Sequence, residues 1–239
     1  MKSFKNLLLY ATRSFLHPTV AVVLILACAM AVTIPERRQV QAANPAPVVV
    51  TNDGGRVISI GEDRPDLNFV GQFINSGPNS HQFGYLSKIE GIANVFNSDT
   101  TKNESTAMFT FSTQAINVQV INNGPLRVVN RTGTTTVYFH PEGGASFSDP
   151  STFEAGLPIQ VSDYEQQVVV DPSTPFPFTT AHLNSITSTS SFVLNGELLR
   201  LGQEHGAFRT HYLGRANAPG MTPSGWFAGY AVGASRNAQ

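Results

Sequence analysis

The feature that most constrains this chain is an alternation of apolar and polar residues with a period of two, which begins at Val48 and continues almost to the C-terminus. Successive side chains of a β-strand point to opposite faces, so this period is typical of strands with one buried face. No window of ten or more residues in this part has the i, i+3, i+4, i+7 spacing of an amphipathic helix. The sequence therefore predicts an all-β domain.

Turn residues divide the alternating sequence at regular intervals. Asn195-Gly196 separates two short apolar runs and is the strongest hairpin signal in the chain. The segments 74–78 and 121–125 both end in Gly-Pro, and we interpret their similarity as shared turn chemistry rather than as an internal repeat. Turn signals recur roughly every 8 to 12 residues, as in sandwiches and barrels. We expect a single antiparallel β-sandwich or β-barrel-like domain of about 11 strands.

Two segments depart from simple alternation. In the run from Ala107 to Ile121 the pattern changes face near Ser112 to Ala115, which predicts a β-bulge there. The segment from Pro141 to Pro158 is rich in Gly and Pro, and we expect an irregular connection with one short helical turn at Pro150 to Ala155.

The N-terminus has the composition of an export signal. Lys2, Lys5 and Arg13 precede an uncharged run from Thr19 to Ile34, which is shorter than the ~20 apolar residues that cross a bilayer. The small residues of Val40-Gln41-Ala42 favour cleavage after Ala42. We predict a signal peptide helix, with an uncleaved membrane anchor as the alternative. The predicted organisation is a signal peptide over 1–42, a linker over 43–47 and an all-β domain over 48–239.

Cleavage would change the chemistry of the remaining chain. It would remove Cys28, the single cysteine, and with it thiol nucleophiles, disulfides and Cys-ligated metals. It would leave 10 basic and 15 acidic residues, a formal net charge of −5 against −1 for the whole chain. The remaining basic residues are scattered singly, so we expect no nucleic-acid partner.

Catalytic patterns are absent from the sequence. It contains no Gly-x-Ser-x-Gly turn, and no histidines in a His-x-His or His-Glu-x-x-His spacing. We therefore predict no catalytic residue, no metal site and no cofactor, and we favour a protein that is not an enzyme.

The last two predicted strands carry the candidate ligand-binding residues. Arg209 and His211 share one face of a predicted strand and Tyr212 is adjacent in sequence. Trp226 begins the final strand after a loop rich in Pro and Gly, where it would either fill one end of the domain or line a ligand-binding mouth. We predict ligand binding at Arg209, His211, Tyr212 and Trp226.

These observations favour an exported, non-catalytic all-β protein that acts as a binding or structural module in the periplasm or outside the cell. We expect it to act through loops at one end of the sheet, notably Asn97 to Ser105, Pro141 to Pro158 and Ala216 to Gly225. The expected partner is an unknown ligand or a component of the cell envelope. A membrane would be contacted only through an uncleaved N-terminal segment.

Two alternatives remain. The first is a β-barrel ligand carrier or cofactor-free enzyme with a polar site near Arg209, His211 and Tyr212, which requires an interior cavity of at least ~300 Å³. The second is an outer-membrane barrel, which is disfavoured because many predicted strands are short and rich in Thr, Ser and Asn.

Overall fold

The computed structural model describes residues 56–58, 67–171 and 177–234, so the predicted signal peptide, cleavage site and linker lie outside the described residues. The described residues form 11 strands, which confirms the predicted all-β, barrel-like domain. The strands are β1 (Arg56–Ile58), β2 (Leu67–Ser76), β3 (Asn79–Ile89), β4 (Phe109–Asn123), β5 (Leu126–Phe139), β6 (Leu157–Val170), β7 (Pro177–Thr189), β8 (Ser191–Leu194), β9 (Glu197–Leu201), β10 (Ala207–Ala216) and β11 (Gly225–Ala234).

Eight strands form a closed antiparallel barrel in the order β10-β11-β2-β3-β4-β5-β6-β7. Most neighbours in this order are also consecutive in the chain. The barrel closes where β10 pairs with β7 and β11 pairs with β2. The architecture is therefore a barrel rather than a sandwich, with one face of each strand inside and the other on an outer wall.

The two ends of the barrel are built differently. At the hairpin end, β2 joins β3 and β4 joins β5 through tight turns, in which Gly77 and Gly124 have φ of 57° and 59°. Those turns require the left-handed conformation, which glycine adopts at little cost. At the opposite end, here the plug end, lie the long connections 90–108 and 140–156 and the small sheet β1-β9-β8.

The small sheet closes the plug end with apolar side chains. Its β8–β9 hairpin turns at Asn195-Gly196, with φ of 53° and 81°, as the sequence predicts. Phe192 on β8 lies with its ring centroid 5.6 Å from that of Phe109 and 4.9 Å from that of Phe139, both on barrel strands. Because Phe109 is fully buried at this contact, the small sheet completes the barrel core.

The three loops that we expected at one end do not lie together. Segments 97–105 and 141–158 are at the plug end, whereas 216–225 joins β10 to β11 at the hairpin end. Connections in an up-and-down barrel alternate between its two ends, so 216–225 is attached to the opposite end from the other two. The connection 141–158 nevertheless folds along the outside of β3 as far as Trp226, next to the end of 216–225.

The irregular connection between β5 and β6 contains a 3₁₀ helix, Pro150–Glu154, which confirms the predicted helical turn. This helix packs on the outside of β3, where the Phe153 ring centroid is 5.3 Å from that of Phe83. The bulge predicted near Ser112 to Ala115 is wrong: the register shift in β4 lies between Asn117 and Gln119. The sequence pattern changes because Ser112 points outward but is buried under the covering connection.

Candidate functional site

The middle of the barrel interior holds a hydrogen-bonded network of polar side chains. Gln82 Oε1 accepts from the hydroxyls of Tyr212, at 2.7 Å, and Tyr164, at 3.1 Å. Gln166 Nε2 lies 2.6 Å from Tyr212 Oη and 3.1 Å from His182 Nε2. Gln82 Nε2 donates to Gln166 Oε1 at 3.3 Å. These buried groups satisfy one another, which is the condition for keeping polar atoms inside a core.

Burial moves the titration of this network away from neutral pH. Loss of solvation raises the pKa of Tyr212 to about 12 and raises the pKa of Tyr164 well above its ordinary value. Burial, with smaller contributions from Arg131 and His211, lowers the pKa of His182 to about 3. At pH 7 the tyrosines are protonated and His182 is neutral, whereas an efficient general acid or base titrates near the working pH. The network is therefore suited to holding the barrel together rather than to proton transfer.

Arg131 extends the network toward the hairpin end. Its Nε donates to Asn117 Oδ1 at 2.7 Å, its Nη1 to Gln166 Oε1 at 3.3 Å and its Nη2 to Asn75 Oδ1 at 3.4 Å. Three side-chain amides thus accept hydrogen bonds from the guanidinium, which fixes its position inside the wall.

The space that remains inside the barrel is small. A cavity of about 60 Å³ lies beside the network and is lined largely by apolar side chains, including Leu67, Phe111 and Phe208. It can hold a few water molecules, but ordinary ligand sites start at ~300 Å³. Aromatic packing occupies the neighbouring volume, with Tyr212 and Phe227 stacked at a centroid distance of 4.4 Å. The interior is a filled core, which counts against the ligand-carrier alternative.

The outer wall carries a line of residues that we call the polar row. Strand pairing places its members side by side on seven adjacent strands, from β4 through β7 to β10, β11 and β2. They are Gln119, Asn130, Gln167, Ala181, His211, Tyr230 and Asn68. Neighbouring strands lie about 4.8 Å apart, so the four steps from Asn130 to Tyr230 span about 19 Å.

Side chains of the polar row are joined by hydrogen bonds and a ring contact. Asn130 Nδ2 donates to Gln119 Oε1 at 3.0 Å, and Gln167 Nε2 donates to Asn130 Oδ1 at 3.5 Å. Farther along, the His211 and Tyr230 ring centroids are 5.7 Å apart. An amide has two N–H donors and two acceptor lone pairs, so each inter-amide bond uses only part of this capacity. The row is therefore held in place while keeping polar groups available at the surface.

A groove of about 370 Å³ crosses the row in its middle. The short Ala181 and the partly buried Leu183, both on β7, form its floor. Asn130, Gln167 and Glu165 contribute to one side, and Arg209 to the other. Glu165 and Arg209 are each paired with Leu183 in the strand register and so face each other across the floor. The groove thus combines a small apolar floor with amide walls, and its charged residues are Glu165, Arg209 and Arg131, whose guanidinium is held by side-chain amides.

The four predicted ligand-binding residues are divided between the two faces of the wall. Arg209, His211 and Trp226 point outward, and the first two border the groove or belong to the polar row. Tyr212 points inward and belongs to the buried network. Alternation along β10 requires this separation, because residues 211 and 212 must face opposite sides. The ligand-binding role of these residues remains a prediction.

Trp226 lies on the outer wall rather than inside one end of the barrel. Its side chain is 44% exposed, and its ring centroid is 5.1 Å from that of Phe147 in the connection that covers β3. It is four residues from Tyr230 on the same strand face, about 13 Å away by strand rise. Trp226 and Tyr230 are therefore two exposed rings on the outer face of β11.

Several groove residues were not predicted from the sequence: Asn130, Thr132, Glu165 and Gln167. Each occupies an outward position on β5 or β6, where a polar residue is expected on a strand with one wet face. Their significance comes from strand pairing, which sets Asn130 opposite Gln167 and Thr132 opposite Glu165. The local sequence offers one signal, which is the run of two carboxylates and an amide at alternate positions, Asp163, Glu165 and Gln167.

A serine, a histidine and a glutamate meet on the outside of β3 and β4. Ser112 Oγ donates to Glu154 Oε1 at 2.7 Å and lies 3.0 Å from His81 Nε2. The carboxylate oxygen is 3.6 Å from that same nitrogen. A catalytic triad instead places the carboxylate on the other ring nitrogen and leaves the serine proton for the histidine. This cluster attaches the 3₁₀ helix to the wall.

Two further properties concern only residues 56–58, 67–171 and 177–234. Within these ranges, no group of three or more His, Cys, Asp or Glu side chains is arranged to hold a metal ion. None of the helical segments there has the length and apolarity needed to traverse a bilayer. Comparison with protein-family models, curated proteins and solved structures finds no match to this chain.

Proposed function

We propose that this chain is an exported, non-catalytic binding module that binds a component of the cell envelope or its surroundings on the outer wall of its barrel. The observation that carries the proposal is the contrast in available space. The interior cavity measures about 60 Å³, whereas the groove on the wall measures about 370 Å³. The larger volume falls in the range of sites that bind small molecules or segments of polymers.

The chemistry of the two regions supports the same proposal. Inside, burial raises the pKa of Tyr212 to about 12 and lowers the pKa of His182 to about 3, so both side chains are neutral at pH 7. Outside, the groove exposes Asn, Gln, Thr, Glu and Arg side chains, which suit reversible recognition by hydrogen bonds.

Export is supported by the basic and then apolar composition of residues 1–34 and by the small residues before Ala43. The test is to express the full chain with a C-terminal tag in its own host, fractionate the cells and sequence the N-terminus of the product. We expect an exported protein that begins at Ala43. A product that begins at Met1 in the cytoplasmic fraction would overturn this part of the proposal.

Binding is tested by sedimenting the exported protein with washed cell-envelope fragments. Ala181→Trp places a large side chain on the groove floor, at an exposed strand position where an aromatic residue is well tolerated. Ala218→Trp is the matched control, since Ala218 is exposed in the loop after β10. We expect the first variant to lose sedimentation with the envelope and the second to retain it. Equal binding by both variants would place the binding surface elsewhere.

A further inference from the structure

We propose that the groove and the polar row bind a neutral carbohydrate chain, which lies across the strands from Asn130 toward Tyr230. This inference rests on the proposed function, because it names the class of ligand for the same surface. It is carried by the type, order and charge of the side chains along the row.

Amides and aromatic rings occupy different parts of the row. Asn130 and Gln167, linked at 3.5 Å, present paired donor and acceptor groups at one end. Such groups match the hydroxyls of a sugar, each of which donates one hydrogen bond and accepts others. At the other end the Tyr230 ring is 40% exposed beside His211. Aromatic rings are apolar on their faces, and the C–H face of a pyranose can pack against them.

The groove floor separates these two chemistries. Ala181 is the small residue of the row, between Gln167 and His211 in the strand register. A flat ring can therefore approach the wall at this point, while its neighbours in the polymer contact the amides on one side and the rings on the other. The four strand steps from Asn130 to Tyr230 cover about 19 Å along the curved outer wall of the barrel. A ligand that contacts both residues must therefore be an extended chain of several units that follows this curve.

Charge argues against a polyelectrolyte. Three charged residues line the groove: Glu165, Arg209 and Arg131. The Arg131 guanidinium already donates to three side-chain amides, and the row itself contains no Asp, Glu, Lys or Arg. A surface that binds an anionic polymer is expected to concentrate basic side chains. The exposed Glu165 and Arg209 side chains, of opposite sign, can instead accept from and donate to hydroxyls without selecting a charged ligand.

Strand pairing argues against an extended peptide. Four of the strands that line the groove, β5, β6, β7 and β10, are each hydrogen-bonded on both sides within the barrel. The fifth, β4, contributes Val118, and beyond Ile116 it pairs with β5 alone, so its free edge lies on the side away from β5 and the rest of the groove. An added peptide strand needs a free sheet edge for its backbone hydrogen bonds. At the groove only side chains are available, which favours a ligand that carries its polar groups as hydroxyls around each unit.

The decisive experiment uses the envelope fragments of the sedimentation assay after two treatments. Periodate oxidises the vicinal diols of sugars, and a protease digests envelope proteins. We expect periodate treatment to abolish sedimentation of the chain and protease treatment to leave it unchanged. Sedimentation that survives periodate but not protease would overturn the carbohydrate inference while the proposed binding function stands. If the original chain did not sediment even with untreated fragments, the proposed binding function itself would be contradicted.

Variants and salt then test the arrangement of the site. Gln167→Ala and Tyr230→Ala should each weaken binding by about tenfold, as expected for the loss of hydrogen bonds or of a packed ring. Tyr230→Phe should bind within about threefold of the original chain, because the ring remains. Val193→Ala, at an exposed position on β8, is the control and should not change binding.

Raising the ionic strength should have little effect on a neutral ligand, because screening weakens only charge–charge attraction. Binding that disappears in high salt, or that depends on Arg209 but not on Gln167, would show an anionic ligand instead and would overturn the inference.

Discussion

The inner and outer faces of the same strands use the same residue types for different purposes. Inside, Gln166 lies beside His182 and Tyr212, and the three are fully engaged with one another and with Gln82. Outside, Gln167 is followed across the wall by His211 and Tyr230, which are open to solvent to different degrees. A polar or aromatic residue thus belongs to the hydrogen-bonded interior on one face and contacts solvent on the other.

This comparison shows why residue type alone does not identify the site. The buried network has the residues that one would choose for catalysis, yet burial places their pKa values far from neutrality. The polar row on the outer wall consists largely of amide side chains, but the groove that crosses it is larger than the interior cavity. Position relative to the sheet therefore decides which set can act on a ligand.

The largest expected difference between the two faces is in stability. Phe109 is fully buried between Phe139 and Phe192, so Phe109→Ala should lower the free energy of unfolding by about 3–5 kcal/mol through lost burial and a new cavity. Trp226→Ala on the wall should cost less than about 1 kcal/mol, because the indole is already 44% exposed. Urea denaturation measures both. Similar losses in the two variants would mean that Trp226 is part of the main core.

Much of the fold could be predicted because its signals are local. Alternation identified the long strands, Asn195-Gly196 identified the β8–β9 hairpin, and the Pro- and Gly-rich connection identified the turn at Pro150–Glu154. Each of these features depends on side chains within a few residues of one another.

The choice between a sandwich and a barrel could not be made in the same way. It depends on the pairing of β11 with β2 and of β10 with β7, which joins distant parts of the chain. Whether such strands meet to close a barrel depends on how far they tilt from its axis. The candidate site could not be predicted from the sequence for the same reason. Alternation places Arg209 and His211 on one face, but only the register brings Gln167 and Asn130 into line with them.

The second-largest expected effect is a pH dependence of the free energy of unfolding, caused by the buried His182. In the folded state the pKa of His182 is about 3, against an ordinary value of 6.5. Because the unfolded chain binds the proton more tightly than the folded protein does, protonation favours unfolding. The contribution of neutral His182 to the free energy of unfolding is complete above pH 6.5 and is lost as the pH falls toward 3. Lowering the pH from 6.5 to 4.5 should therefore reduce the free energy of unfolding by roughly 2–3 kcal/mol through His182 alone.

Carboxylates also titrate in this range, so the measurement needs a reference variant. His182→Gln retains an amide that can hydrogen-bond to Gln166 but removes the titrating group. Denaturation at a series of pH values should show a shallower decline for this variant than for the original chain. Parallel curves would indicate that His182 is protonated without cost in the folded protein, contrary to its burial beside Tyr164 and Tyr212.

A smaller effect distinguishes two tyrosine hydroxyls. Tyr212→Phe removes the donor to Gln82 and the acceptor of Gln166 inside the barrel, which should cost about 1–3 kcal/mol because both amides are buried. Tyr230→Phe on the wall should change the free energy of unfolding by less than about 0.5 kcal/mol, since water replaces any partner of an exposed hydroxyl. Thermal or urea unfolding provides the comparison. An equal cost at the two positions would contradict the assignment of Tyr212 to a satisfied network.

The smallest effect is spectroscopic and tests the outward position of Trp226, the single tryptophan of the chain. An indole on the wall should be quenched by acrylamide in the folded protein, although contact with Phe147 shields one side. Phe147→Ala should therefore increase the quenching with little change in stability, because Phe147 is itself only partly buried. If Trp226 instead filled one end of the barrel, acrylamide would reach it only after unfolding, and removal of Phe147 would leave its fluorescence unchanged.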